Sequence, residues 1–157
     1  MRHTKLTLAA LLLAAGPVLA EDVAPDMVKF DDAGAVETSL TGVAGNPEEG
    51  AKIMSSRALG NCVACHVVSQ LDAAFQGNVG PELSGVGEYR TEAELRGLLT
   101  NSKKTFEGTI MPAYYKTSGY IRPGIDFTNK AATEPLPPLL TAQQIEDTIA
   151  FLLTLKE

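Results

Sequence analysis

Cys62, Cys65 and His66 fall within Asn61-Cys62-Val63-Ala64-Cys65-His66, a Cys-x-x-Cys-His string in a chain with only two cysteines and two histidines. Two thiols one turn apart can add to the two vinyl groups of a haem, while the adjacent imidazole reaches the iron from below. Three other readings use the same residues. A structural zinc site needs four ligands, and beyond these three the usual nitrogen and sulfur donors are lacking once His3 is set aside. A thioredoxin-like dithiol needs a βαβ setting that the chain does not offer. A plain disulfide suits an exported protein but explains neither the histidine nor its placement.

His3 is set aside because residues 1–20 read as a secretory signal peptide. Arg2 and Lys5 precede an apolar run from Leu6 to Ala15, and Val18-Leu19-Ala20 offers a cleavage site. The run ends at Gly16-Pro17 and falls short of the roughly 20 apolar residues that span a bilayer. Cleavage after Ala20 leaves His66 as the one histidine. The residue directly after the cleavage site is Glu21 and not a cysteine, so a lipid anchor is not expected, and the short apolar run leaves a membrane anchor unexpected too. The full chain carries a formal charge of −6, and losing Arg2 and Lys5 makes it more negative. That balance argues against nucleic acid or anionic lipid as a partner.

A filled sixth coordination position would separate electron transfer from ligand chemistry. Met54 lies in an expected helix, where packing suits it, and Met27 lies in an acidic stretch. Met111 follows His66 by 45 residues, in Ile110-Met111-Pro112, where the proline stiffens the chain beyond the sulfur. Met111 is therefore the candidate sixth ligand, its alternative role being a gap-filling side chain. Pro81 has a carbonyl and no N–H, so it could accept from the second nitrogen of His66, although Gly80-Pro81 also reads as a simple turn. Arg90 could pair with a haem propionate or stay an ordinary surface charge. Tyr114, Tyr115 and Tyr120 place three of the four tyrosines after Met111, to cover a haem edge, form a docking surface or pack a loop.

The elements that must position these residues follow from caps and periodicity. Residues 21–45 hold six acidic residues and one lysine, with Met27, Val28, Phe30 and Leu40 as the bulky apolar groups; they read as an extended or partner-ordered segment outside the core. A helix starts at Asn46 with Pro47 in its first turn and runs to about Arg57, with Gly50, Ile53 and Met54 on one face. Residues 71–87 are glycine-rich loop with at most one helical turn. Thr91 with Glu94 caps a second helix to about Ser102, with Leu95, Leu98 and Leu99 as its buried stripe. Tyr114 to Leu140, with four prolines, is a long irregular segment. Thr141 with Gln144 caps the last helix, whose apolar face is Ile145, Ile149, Leu152 and Leu153. Strand alternation and internal repeats are absent. The expectation is a mostly α domain over residues 46–157, with long irregular loops around one covalently attached haem.

In this order the pieces resemble a class I cytochrome c, from the helix bearing Gly50 through Cys62–His66, Gly80-Pro81 and Met111-Pro112 to the final helix. The resemblance implies that the first and last helices cross near Gly50 and Phe151. Within the class, four strings are similar to the SoxX family, the mono-haem subunits of SoxAX cytochromes. They are Gly60 to His66, Gly77 to Gly87, Met111 to Tyr115 and Leu140 to Asp147. The resemblance implies a periplasmic heterodimer with a SoxA-like subunit, which in that family supplies the active-site cysteine while thiosulfate is joined oxidatively to a carrier-protein cysteine. This chain would accept electrons and pass them to a small cytochrome c, and no catalytic residue is assigned to it. Two further functions stay open: a free periplasmic electron shuttle, and a haem enzyme or ligand sensor with an open iron site.

Overall fold

The computed structural model describes residues 21–120, 132 and 135–157, in which the elements are helical and no strand occurs among the described residues. The signal-like segment and much of the proline-rich loop lie outside them. The α-helices are α1 (Pro47–Ser55), α2 (Val86–Tyr89), α3 (Glu92–Asn101) and α4 (Ala142–Leu152), with 3-10 turns at Pro25–Met27, Cys62–Ala64 and Ser102–Lys104.

Each long helix begins where its capping residues require. The Asn46 side chain accepts from the backbone N–H groups of Glu48 and Glu49, with Pro47 in the first turn. Thr91 with Glu94, and Thr141 with Gln144, form reciprocal capping boxes. α1 stops at Ser55, two residues before the expected end, when the Ser56 backbone turns extended. Residues 71–85 are loop as expected, and α2 begins only at Val86 and runs past Gly87 to Tyr89.

α1 packs across α4, and α3 packs on the same helix. The α1–α4 crossing is close because Gly50 has no side chain. A Cβ there would run into the Asp147 carbonyl and stand 2.8 Å from Phe151 Cβ, so the crossing lies where the resemblance put it. Ile53 and Met54 of α1 and Ile145, Ile149 and Leu152 of α4 are buried in one core. Burying side chains of this size stabilises by about 1.5–3 kcal/mol each. In α3, Leu95 and Leu99 are buried as expected, whereas Leu98 is only half-buried and Arg96 takes a core position instead.

The acidic N-terminal segment departs from expectation. Ala35, Val36, Leu40 and Thr41 are buried, and Leu40 belongs to the main core. A buried ion pair draws them in. Arg96, 2% exposed, meets Glu146 through Nε–Oε1 at 2.9 Å and Nη2–Oε2 at 3.0 Å, and also pairs with Glu92. Arg96 Nη1 donates to the Val36 carbonyl at 2.9 Å, and the Leu40 N–H donates to Glu146 Oε1 at 2.7 Å. Burial opposes the Arg96 charge, but Glu146 and then Glu92 outweigh it and hold the guanidinium above its ordinary range. Desolvated charges persist when each lone pair and proton finds a partner, and the backbone of residues 36–40 supplies the missing ones.

Candidate haem site

The Cys62–His66 segment is shaped by the turn that leads into it. After α1 the Gly60 N–H donates to the Ile53 carbonyl at 3.1 Å and the Asn61 N–H to the Ser56 carbonyl at 3.0 Å. Asn61 then adopts a left-handed conformation, φ 49°, which asparagine tolerates better than most residues. This reverses the chain into the 3-10 turn Cys62–Ala64, where the Cys65 and His66 N–H groups both donate to the Cys62 carbonyl, at 3.1 and 3.0 Å. Three residues that sequence spacing places together are thus held as one rigid turn.

A second segment runs alongside. The N–H groups of Gly77, Gly80 and Leu83 donate to the carbonyls of Val63, Cys65 and Val67 at 2.8, 2.8 and 2.9 Å. Gln76 adds a side-chain clamp, accepting from the Val68 N–H at 2.6 Å and donating to the Val68 and Leu71 carbonyls at 3.1 and 3.0 Å. No motif had pointed to Gln76, because its partners are backbone groups. The pairing sets Gly80 against the His66 ring, where a Cβ would strike Cε1 and stand 2.6 Å from Nδ1.

Pro81, which follows, places its carbonyl 2.7 Å from His66 Nδ1. A carbonyl can only accept, so this contact puts the ring proton on Nδ1 and leaves the Nε2 lone pair for a metal. The cysteines are both unpaired. Burial pushes the Cys62 thiol up to about 11, so it stays protonated at neutral pH, the form least able to exchange into a disulfide. Among the described residues no group of three or more His, Cys, Asp and Glu side chains gathers to hold a metal ion, which leaves the zinc reading without a fourth ligand or a cage. Two free thiols beside an imidazole with its Nε2 free are a donor set that fits haem.

Met111 is fixed by the end of α3 and by Thr109. Its N–H donates to Thr109 Oγ1 at 3.2 Å; its carbonyl accepts from Ser102 Oγ at 2.9 Å and from Lys103 Nζ. Its side chain is partly buried against the core that contains Cys62 and Tyr114. Tyr114 connects the two segments. Its backbone N–H donates to the Leu99 carbonyl of α3, and its buried hydroxyl donates to the Gly60 carbonyl at 3.0 Å. Burial, then the neighbouring Cys62, holds its phenol far above the ordinary range. Tyr115 donates to the Val23 carbonyl at 2.8 Å and so fastens the N-terminal segment, while the Tyr120 hydroxyl donates to the Lys116 carbonyl at 2.7 Å. The three clustered tyrosines therefore serve as three separate backbone anchors. Arg90 pairs with Glu94 at 3.1 Å and lies 6.0 Å from the centre of the Phe106 ring; these contacts do not join it to the Cys62–His66 turn. Met54 is a core side chain, and Met27 is exposed.

Comparison with known proteins agrees with this geometry. A cytochrome c family model matches residues 47–156. The crystal structure of SoxXA from P. pantotrophus contains a chain 58% identical to this one, with a TM-score of 0.83, over 87% of this chain and 99% of that one. The c-type cytochrome SorU from Sinorhizobium meliloti is 19% identical with a TM-score of 0.43, over 70% of this chain and 90% of that one. No curated protein sequence matches. The chain belongs to the cytochrome c family, as a SoxX-type electron-transfer cytochrome carrying haem c.

Proposed function

We propose that this chain is the electron-accepting, mono-haem subunit of a periplasmic SoxAX-type complex, exported by residues 1–20 with cleavage after Ala20. The observation that carries it is the 58% identity to a SoxXA chain over 99% of that chain's length. Cys62 and Cys65 would hold the haem as thioethers, and His66 Nε2 and Met111 Sδ would ligate its iron. Bound there, the haem supplies reversible one-electron exchange at iron. The protein's part is to keep the ligand field constant through that exchange. The Pro81 carbonyl fixes the His66 proton on Nδ1 and strengthens the ring as a donor; Gly80 lets the backbone lie against it; the Met111 thioether as a ligand would favour the reduced state and so suit an acceptor. With both cysteines committed, no thiol is left in the mature chain for covalent work, so bond formation falls to a SoxA-like partner. Electrons would leave to a small cytochrome c.

Co-expression of the full chain with a SoxA-type subunit tests this. A heterodimer that oxidises thiosulfate in the presence of the carrier protein is expected. A monomer that neither binds that subunit nor restores the oxidation contradicts the proposal and favours a free electron shuttle.

A further inference from the structure

Met111 is held through its own peptide, and by one short element. Ser102 and Lys103 open the 3-10 turn Ser102–Lys104, which directly continues α3. Ser102 Oγ, fully buried, and Lys103 Nζ, on an exposed side chain, both donate to the Met111 carbonyl, while Thr109 Oγ1 takes the Met111 N–H. The Lys103 backbone is itself tied down, its N–H donating to Asn101 Oδ1 at 3.3 Å. Pro112 restricts Met111 to extended backbone, so the two donors hold the carbonyl of a residue whose backbone is already confined.

We infer that Ser102 and Lys103 are positioning residues for Met111: together they clamp its carbonyl and hold its sulfur in place as iron ligand, closing the sixth position to outside molecules. The inference rests on Met111 being that ligand. A cytochrome whose methionine is loosely held lets an external base compete, because the competitor's apparent affinity scales with the fraction of protein in which the methionine has swung away. Hydrogen bonds from charged donors are stronger than neutral ones, and losing this one should raise that fraction about tenfold.

The test is imidazole titration of the ferric holoprotein, followed by its absorption spectrum. Lys103→Met should bind imidazole about tenfold more tightly than the parent. Lys103→Arg should restore the parent value. Lys104→Met, which removes the same charge one residue on from a side chain lying over Phe30, should stay at the parent value. Ser102→Ala should act like Lys103→Met; should its buried site fail to fold, the exposed Lys103 variants decide alone. Equal imidazole affinity in Lys103→Met and parent overturns the clamp, as does an equal gain in Lys104→Met, which would show a general charge effect. A Met111→Ala protein that keeps the parent's far-red charge-transfer band and imidazole affinity overturns instead the ligand assignment beneath it.

Discussion

On the histidine side of the site, Val63–Val67 is laced to Gly77–Leu83 by three backbone hydrogen bonds, and the Pro81 carbonyl adds a fourth to the ring itself. On the other side, the Met111 peptide itself is held by side chains, Ser102 and Lys103 from the end of α3 and Thr109 from the loop, and backbone bonds to α3 resume only at Tyr114 and Tyr115, where the Tyr114 hydroxyl also reaches over to Gly60. Backbone lacing is indifferent to most side chains and fails where a side chain intrudes. Side-chain pins can be removed one at a time. The histidine side should therefore respond in an all-or-none way and the Met111 peptide by degrees.

The largest effect should come from the anchor beneath the methionine side. Glu146→Ala leaves the buried Arg96 with only the exposed Glu92 as counter-charge and releases the Leu40 N–H, and unfolding by denaturant should show a loss of about 3–5 kcal/mol. A midpoint equal to the parent's would mean that α3 is held by other contacts. Next, Gly80→Ala forces a methyl group against the His66 ring and should cost about 1–3 kcal/mol, together with a fall in the yield of haem-loaded protein. Full haem yield would show that the lacing gives way more easily than proposed. Tyr114→Phe removes the bond that joins the two sides, at about 1 kcal/mol measured in the same way. The smallest effect is a pH dependence at the start of α3. The Thr91 backbone N–H, with Arg90 assisting, holds the Glu94 carboxyl below its ordinary range. Its contribution is thus present above the unfolded carboxyl pKa and fades as pH falls through the folded value. Glu94→Ala removes that carboxylate and should cost up to about 1 kcal/mol near neutrality, and the gap to the parent should narrow in acid.

What the sequence made legible was what its neighbours dictate. Caps at Asn46, Thr91 and Thr141 mark helix starts because the bonds they make span three residues. Cys62–His66 declares itself because one turn holds it all. Pro81 was within reach because a lone acceptor next to a glycine limits the options. The N-terminal segment was misjudged because its acidity suggested solvent, whereas Val36 and Leu40 are recruited by an arginine and a glutamate 50 residues apart on two helices. A charged residue in an amphipathic helix reads as surface until its distant partner is seen. Leu98, expected in the buried stripe, is half-buried for the same reason, while Arg96 takes a core position. The pins on Met111 were equally hidden, since serine, lysine and threonine carry no motif when their partner is a backbone carbonyl or N–H.

The absorption spectrum of the ferric holoprotein, recorded for the parent and for Met111→Ala, bears most directly on the central claim of a His66–Met111 iron site. The parent should show the far-red methionine-to-iron charge-transfer band, and Met111→Ala should lose it while its reduction potential falls. A spectrum unchanged by the substitution would contradict the account and return the sixth position to another ligand or to solvent.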